Sequence, residues 1–193
     1  MLFRSYVRDK PQLAVNLVYP EVYQWFFKLP SLPLENQPTT KFGFLAYLDI
    51  SNRGLRDVSV DAWKLSLRPK QGNARPLNPL SISEPKIAVG KSGLWKMYPV
   101  LGHAGQASTG STLVKSGSSI SGFAYYVFEY VGGNEWNLIE SDRTVTGKVV
   151  VTDIFGKSAS QNVVFREISL GRALSMVPNI DQVDADMTRT LQG

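Results

Sequence analysis

The sequence predicts an all-β domain, an antiparallel β-sandwich with long loops and a short helical tail at its C-terminal end. Three observations predict it. Residues 119–167 read as three strands joined by turns, and residues 13–19, 42–50 and 58–67 repeat the same strand-like composition. After Glu167 the apolar residues recur at steps of three and four instead of two. Residues 1–169 are therefore assigned to the sandwich and 170–193 to a tail; deletion of 171–193 is expected to leave the sandwich folded.

Along the chain, Leu13, Val15, Leu17 and Tyr19 share one face of a first strand that Pro20 stops. Residues 22–29, VYQWFFKL, form the most apolar stretch. They read as a buried strand or short helix, with an exposed aromatic patch for a partner or lipid surface as the alternative. Three prolines within 30–38 make an extended connector, and 42–50 is a strand closed by the turn cluster Ser51-Asn52-Arg53-Gly54.

Within 58–67 the apolar parity changes. Val58, Val60 and Ala62 share one face, while Trp63, Leu65 and Leu67 share the other. A β-bulge near Ala62 would return them to one side; a ligand wedge of Asp61 and Trp63 is the alternative. Residues 68–91 are punctuated by proline and read as a loop with one short strand at 80–83. Residues 93–98 read as a further strand, and 100–117 as a loop rich in glycine and serine.

Residues 122–130 carry bulky side chains on both parities, so this strand is expected to be covered on both sides for part of its length. Residues 145–153 alternate cleanly, with Val145, Gly147, Val149 and Val151 on one side. The turn Ile154-Phe155-Gly156-Lys157 and the matching alternation after it predict an antiparallel hairpin. In the tail, Pro178 divides two short helices, with Asn179 as the expected N-cap of the second. The tail is expected to dock on its own domain.

A chain of 193 residues with 43% hydrophobic and 19% charged content can bury a sizeable core. It contains no cysteine, which excludes disulfides, cysteine nucleophiles and thiolate metal sites. The N-terminal residues lack the pattern of a secretory signal, and no stretch is long and apolar enough for a transmembrane span. The cytoplasm is the default assignment. Charge is uneven: residues 53–96 hold nine basic side chains against three acidic, a local charge of +6 within an overall +5. That basic middle could meet nucleic acid, an acidic partner or a membrane surface. Lys and Arg on solvated strands and loops are the commoner case, and no RNP, KH or helix-turn-helix pattern sharpens the nucleic-acid reading.

The only histidine, His103, lies in a glycine-flanked loop and reads as a loop residue. One histidine and no cysteine make a poor zinc site, so no metal or cofactor is expected. Residues 105–112 have the glycine spacing of a phosphate loop but lack its lysine. Glu129, Glu135, Glu140, Asp142 and Asp153 could include a carboxylate pair of glycosidase type, although spacing alone does not bring them together.

The strand order, Trp63-Lys64-Leu65 and the hairpin around Phe155-Gly156 resemble an immunoglobulin-like β-sandwich over about residues 13–168. The chain departs from true immunoglobulin domains in having no cysteine pair and no tyrosine at the 141–144 corner. The resemblance implies roles such as adhesion, chaperoning, assembly or carbohydrate binding.

The expected function is non-catalytic: an interaction or structural module that presents loops 68–91 and 99–117 to a protein partner or to a second copy of itself. Candidate binding residues are Lys64, Arg68, Lys70, Arg75, Trp95, His103 and Trp136. The alternative is a carbohydrate-binding module or glycoside hydrolase-like domain that uses Trp95 and Trp136 beside acidic neighbours.

Overall fold

The computed structural model describes residues 12–33, 37–67, 74–83, 86–89, 94–97, 101, 112–131, 138–140 and 142–182, with 86–89 and 94–97 described by their backbone. Eleven strands and one helix appear among them: β1 (Leu13–Leu17), β2 (Trp25–Leu29), β3 (Thr39–Asn52), β4 (Val58–Leu67), β5 (Arg75–Leu77), β6 (Lys86–Val89), β7 (Leu94–Met97), β8 (Thr112–Val114), β9 (Ser119–Val131), β10 (Thr144–Asp153), β11 (Ser158–Glu167) and α1 (Leu170–Met176).

Nine strands form one sheet in the order β1-β3-β2-β11-β10-β4-β5, with β9 beside β3 and β8 beside β4; β6 and β7 form a separate ribbon. The all-β class is as expected, but the purely antiparallel sandwich is not. β2 and β11 run parallel through Arg166↔Trp25 and Glu167↔Phe26. The Arg166 N–H donates to Gln24 C=O at 3.0 Å and the Ile168 N–H to Phe26 C=O at 2.9 Å. This seam joins the two halves into one mixed sheet. Side-chain alternation reveals which face a residue takes and nothing about the direction of the neighbouring strand.

The bulge forms where the parity change requires it. Thr152 pairs with Ala62 and Asp153 with Val60, leaving Asp61 as the extra residue. Val58, Val60, Trp63, Leu65 and Leu67 are consequently all buried together. The predicted hairpin forms as β10 and β11, with Gly156 at φ 80. The predicted strand at 80–83 reduces to a bridge between Leu80 and Tyr125. The loops assigned to 68–91 and 99–117 contain β5, β6 and β8 instead.

Two apolar clusters hold the molecule. In the first, β3 and β9 face β4, β10 and β11: Phe44 meets Phe165 edge to face at 5.1 Å, and the Tyr126 hydroxyl donates to Trp63 C=O at 2.9 Å. The second lies on the opposite face of β2, β3 and β9. Trp25, Phe27, Leu45, Tyr47, Phe123 and Tyr125 there pack with Ala173, Met176, Val177 and Ile180. The tail docks on its own domain through these four residues. The cap of α1 is Ser169, whose Oγ accepts from the Arg172 N–H at 3.3 Å. Asn179 takes φ 61 in a turn and accepts from the Gln182 N–H through its carbonyl. A second helix would fall on residues outside those described.

Candidate interaction surface

Three turns meet at one end of the sheet: 53–57 after β3, 115–118 before β9, and 154–157 between β10 and β11. Asn52 ties the first two together. Its side chain is 1% exposed, with Oδ1 accepting from the Gln12 and Gly54 N–H groups at 3.3 and 3.0 Å. Its Nδ2 donates to Arg56 C=O at 2.7 Å and Val114 C=O at 3.1 Å. Both acceptor positions and both donors of the amide are used, which explains a fully buried asparagine. The Asp57 carboxylate accepts from the Ser116 N–H at 2.8 Å, and the Ser116 hydroxyl donates to Gly54 C=O at 2.8 Å.

The third turn is fixed by Asp153, whose Oδ1 accepts from the Phe155 and Lys157 N–H groups at 2.9 Å each. The Ile154 N–H donates to Ser59 C=O at 3.1 Å, and Ser59 pairs on its other side with Leu113. The N–H groups of the third turn are therefore satisfied internally, while four large apolar side chains at this end are exposed. Leu55 is 61% exposed, Leu113 50%, Ile154 57% and Phe155 67%. Around them stand the exposed Arg53, Arg56, Lys115 and Lys157. The readable signal was two large apolar residues inside a four-residue turn, where Gly, Asn, Asp, Ser and Pro usually sit.

The two sequence-selected residues whose side chains are described, Lys64 and Arg75, lie away from this surface. Lys64 points outward from the middle of β4, paired with Val150. Arg75 bridges the halves instead: its guanidinium lies 5.7 Å from the centre of the Phe128 ring and donates to Glu129 C=O at 3.3 Å. Arg68, Lys70, His103 and Trp136 lie outside the described residues, as does the side chain of Trp95.

The described carboxylates fall at both ends of β10 and on β9, with Glu140 and Asp142 at the same end. Asp153 and Asp142 flank opposite ends of β10, a ten-residue strand of about 30 Å at ~3.3 Å per residue. Glu129 is exposed on β9, and Glu135 lies outside the described residues. Glu140 accepts from the Thr146 hydroxyl at 2.7 Å, and Asp142 from the Thr144 hydroxyl at 2.6 Å. That hydroxyl holds the Asp142 carboxyl below the ordinary aspartate range, with a smaller contribution from the Thr144 N–H. Burial pushes the phenols of Tyr126 and Tyr47 up. All three groups serve the fold.

An open groove of about 640 Å³ lies at the Asp142 end, lined by Arg143, Arg166, Glu167 and Ser169 among others. Its charges pair with one another: Arg143 with Glu167 at 2.9 Å, and Arg166 with Glu21. Among the described residues no three His, Asp or Glu side chains gather to hold a metal ion. No helix among them is long and apolar enough to cross a membrane.

No family model matches the chain, and no curated protein matches it. Solved structures similar to it include a putative ApaA protein from Bordetella pertussis, at 11% identity over 82% of this chain and 96% of that one, TM-score 0.33. A Northeast Structural Genomics Consortium target shares 7% identity over 83% of this chain and 85% of that one, TM-score 0.30. The archaellum periplasmic stator complex of FlaF and FlaG from Sulfolobus acidocaldarius shares 12% identity over 71% and 86%, TM-score 0.28. Likeness at this level carries no argument about the activity of the chain.

Proposed function

We propose that the chain is a non-catalytic interaction module, built on a variant of the immunoglobulin-like sandwich, whose partner seats on the end formed by turns 53–57, 115–118 and 154–157. The observation that carries this reading is the exposure of Ile154 and Phe155 at the tip of a hairpin whose N–H groups from 153 to 157 are all bonded. Rigid turns that leave large apolar side chains in water suit a surface meant to be covered. Part of the expected 99–117 loop, Lys115 to Gly117, belongs to this end. The carbohydrate alternative rested on Trp95 and Trp136 and gains nothing from the described residues.

The test is capture from a detergent-free native lysate by wild type and by the double variant Ile154→Glu/Phe155→Glu, with the captured material identified by mass spectrometry. Selective loss in the variant, with its unfolding midpoint unchanged, is the expected result. Identical capture by both proteins removes the turn end as the binding surface.

A further inference from the structure

We infer that the surface seated on this turn end is an anionic lipid bilayer; this rests on the module reading above. The first reason is area. The four apolar side chains are each half or more exposed. That is an area a bilayer accepts: a few apolar side chains backed by a second, electrostatic attraction.

The second reason is distribution. Leu55 and the Ile154-Phe155 pair sit on separate turns, and Leu113 flanks Ser59 opposite Ile154, so the apolar groups stand as prongs at one end of the sheet. Prongs of this kind enter the boundary between headgroups and acyl chains while the strands stay in water.

The third reason is charge direction. Arg53, Arg56, Lys115 and Lys157 are exposed on the same turns. The Asp153 carboxylate is buried and folded back onto the Phe155 and Lys157 N–H groups, while Asp57 is exposed and accepts from the Ser116 N–H. Asp61, exposed at the bulge on β4, is set back along the strand from the tips. Arg53, Lys115 and Lys157, exposed at the level of the apolar prongs, are placed to meet phosphate and carboxylate headgroups.

The experiment is flotation of the full chain with vesicles of phosphatidylcholine alone or with about 30% phosphatidylserine, whose anionic headgroups give the surface a negative potential. Wild type is expected to float with the anionic vesicles, and less so as salt rises. Ile154→Glu/Phe155→Glu should bind at least about tenfold more weakly, and Leu55→Glu, on a separate turn, should also weaken binding. Lys115→Glu/Lys157→Glu should lose about tenfold on anionic vesicles and little on neutral ones. Circular dichroism of each variant confirms that it is folded.

Wild type that floats with neither composition overturns the lipid assignment, as does flotation unchanged by the prong variants. Lysate capture decides the module reading separately. Capture lost in the variant without any flotation places a protein at the tips, and unchanged capture removes the tips as a binding surface altogether.

Discussion

Strands β3 and β10 both have partners along two edges, yet β10 buries one face and β3 buries two. On β10, Val145, Gly147, Val149 and Val151 point into the first cluster, while Thr146 and Lys148 meet water. On β3, Phe42, Phe44, Ala46 and Leu48 point into the first cluster, and Leu45 and Tyr47 into the second. A face in water needs no further cover, and its alternation is legible. A strand covered twice needs another element to close it and space for large rings, so the helix, a glycine and a buried glutamine matter more in that half.

The severest test of this contrast is removal of residues 170–193. Because Ala173, Met176, Val177 and Ile180 cover Trp25, Phe27 and Tyr125, the truncated chain is expected to bind a hydrophobic dye and to lose its single sharp unfolding transition. This replaces the expectation of a dispensable tail. A truncated chain that melts cooperatively at the wild-type midpoint would mean that the outer face of β3 needs no cover.

Equivalent glycines in the two halves sharpen the comparison. A Cβ on Gly43 would stand 2.7 Å from the Phe27 ring and 3.0 Å from that of Tyr125. Those two rings are buried and near-parallel, 6.3 Å apart between centres. Gly43→Ala should cost about 3 kcal/mol, the upper end of ordinary overpacking. A Cβ on Gly147 would meet the methyl ends of Leu65 and Leu67 at 3.0 and 3.1 Å. These can rotate aside, so Gly147→Ala should cost about 1 kcal/mol. Urea unfolding of both variants measures the difference, and equal costs would break the contrast.

Gln24 is the polar counterpart. Only 2% exposed, it stands in the gap between β1 and β2 and replaces a missing strand rung. Its Oε1 accepts from the Tyr47 N–H at 3.1 Å, and its Nε2 donates to Val18 C=O at 3.1 Å. Gln24→Ala should cost about 1–3 kcal/mol by stripping buried backbone groups of partners. Lys148→Ala, on the wet face of β10, should stay within about 0.5 kcal/mol.

The smallest effect belongs to Asp142, exposed at the start of β10. Its folded-state pKa is lowered, so its contribution is present above the ordinary aspartate value near 3.8 and is lost as pH falls through the folded value. Asp142→Asn should differ from wild type at pH 7, and the gap should close on acidification below pH ~4. A gap that widens in acid would reverse the assigned sign.

Local pattern carried much of the fold. The β10–β11 hairpin, the bulge at Asp61 and the double covering of β9 were legible because each follows from neighbours within a few residues. The candidate surface was not. Ile154 and Phe155 have the sequence signature of turn residues, and their exposure depends on what packs nearby; Lys64 and Arg75 stand out by charge, although Arg75 braces β9. Ser169 gives no periodic signal as a cap because the helical period begins after it.

By itself the sequence determined strand faces, the hairpin and the change to helix near residue 170, because periods of two and near four are properties of short segments. Only the tertiary structure decided the parallel seam of β2 and β11, the Asn52 and Gln24 bonds and the convergence of three turns. Those join residues tens of positions apart, and no local rule selects one distant partner over another.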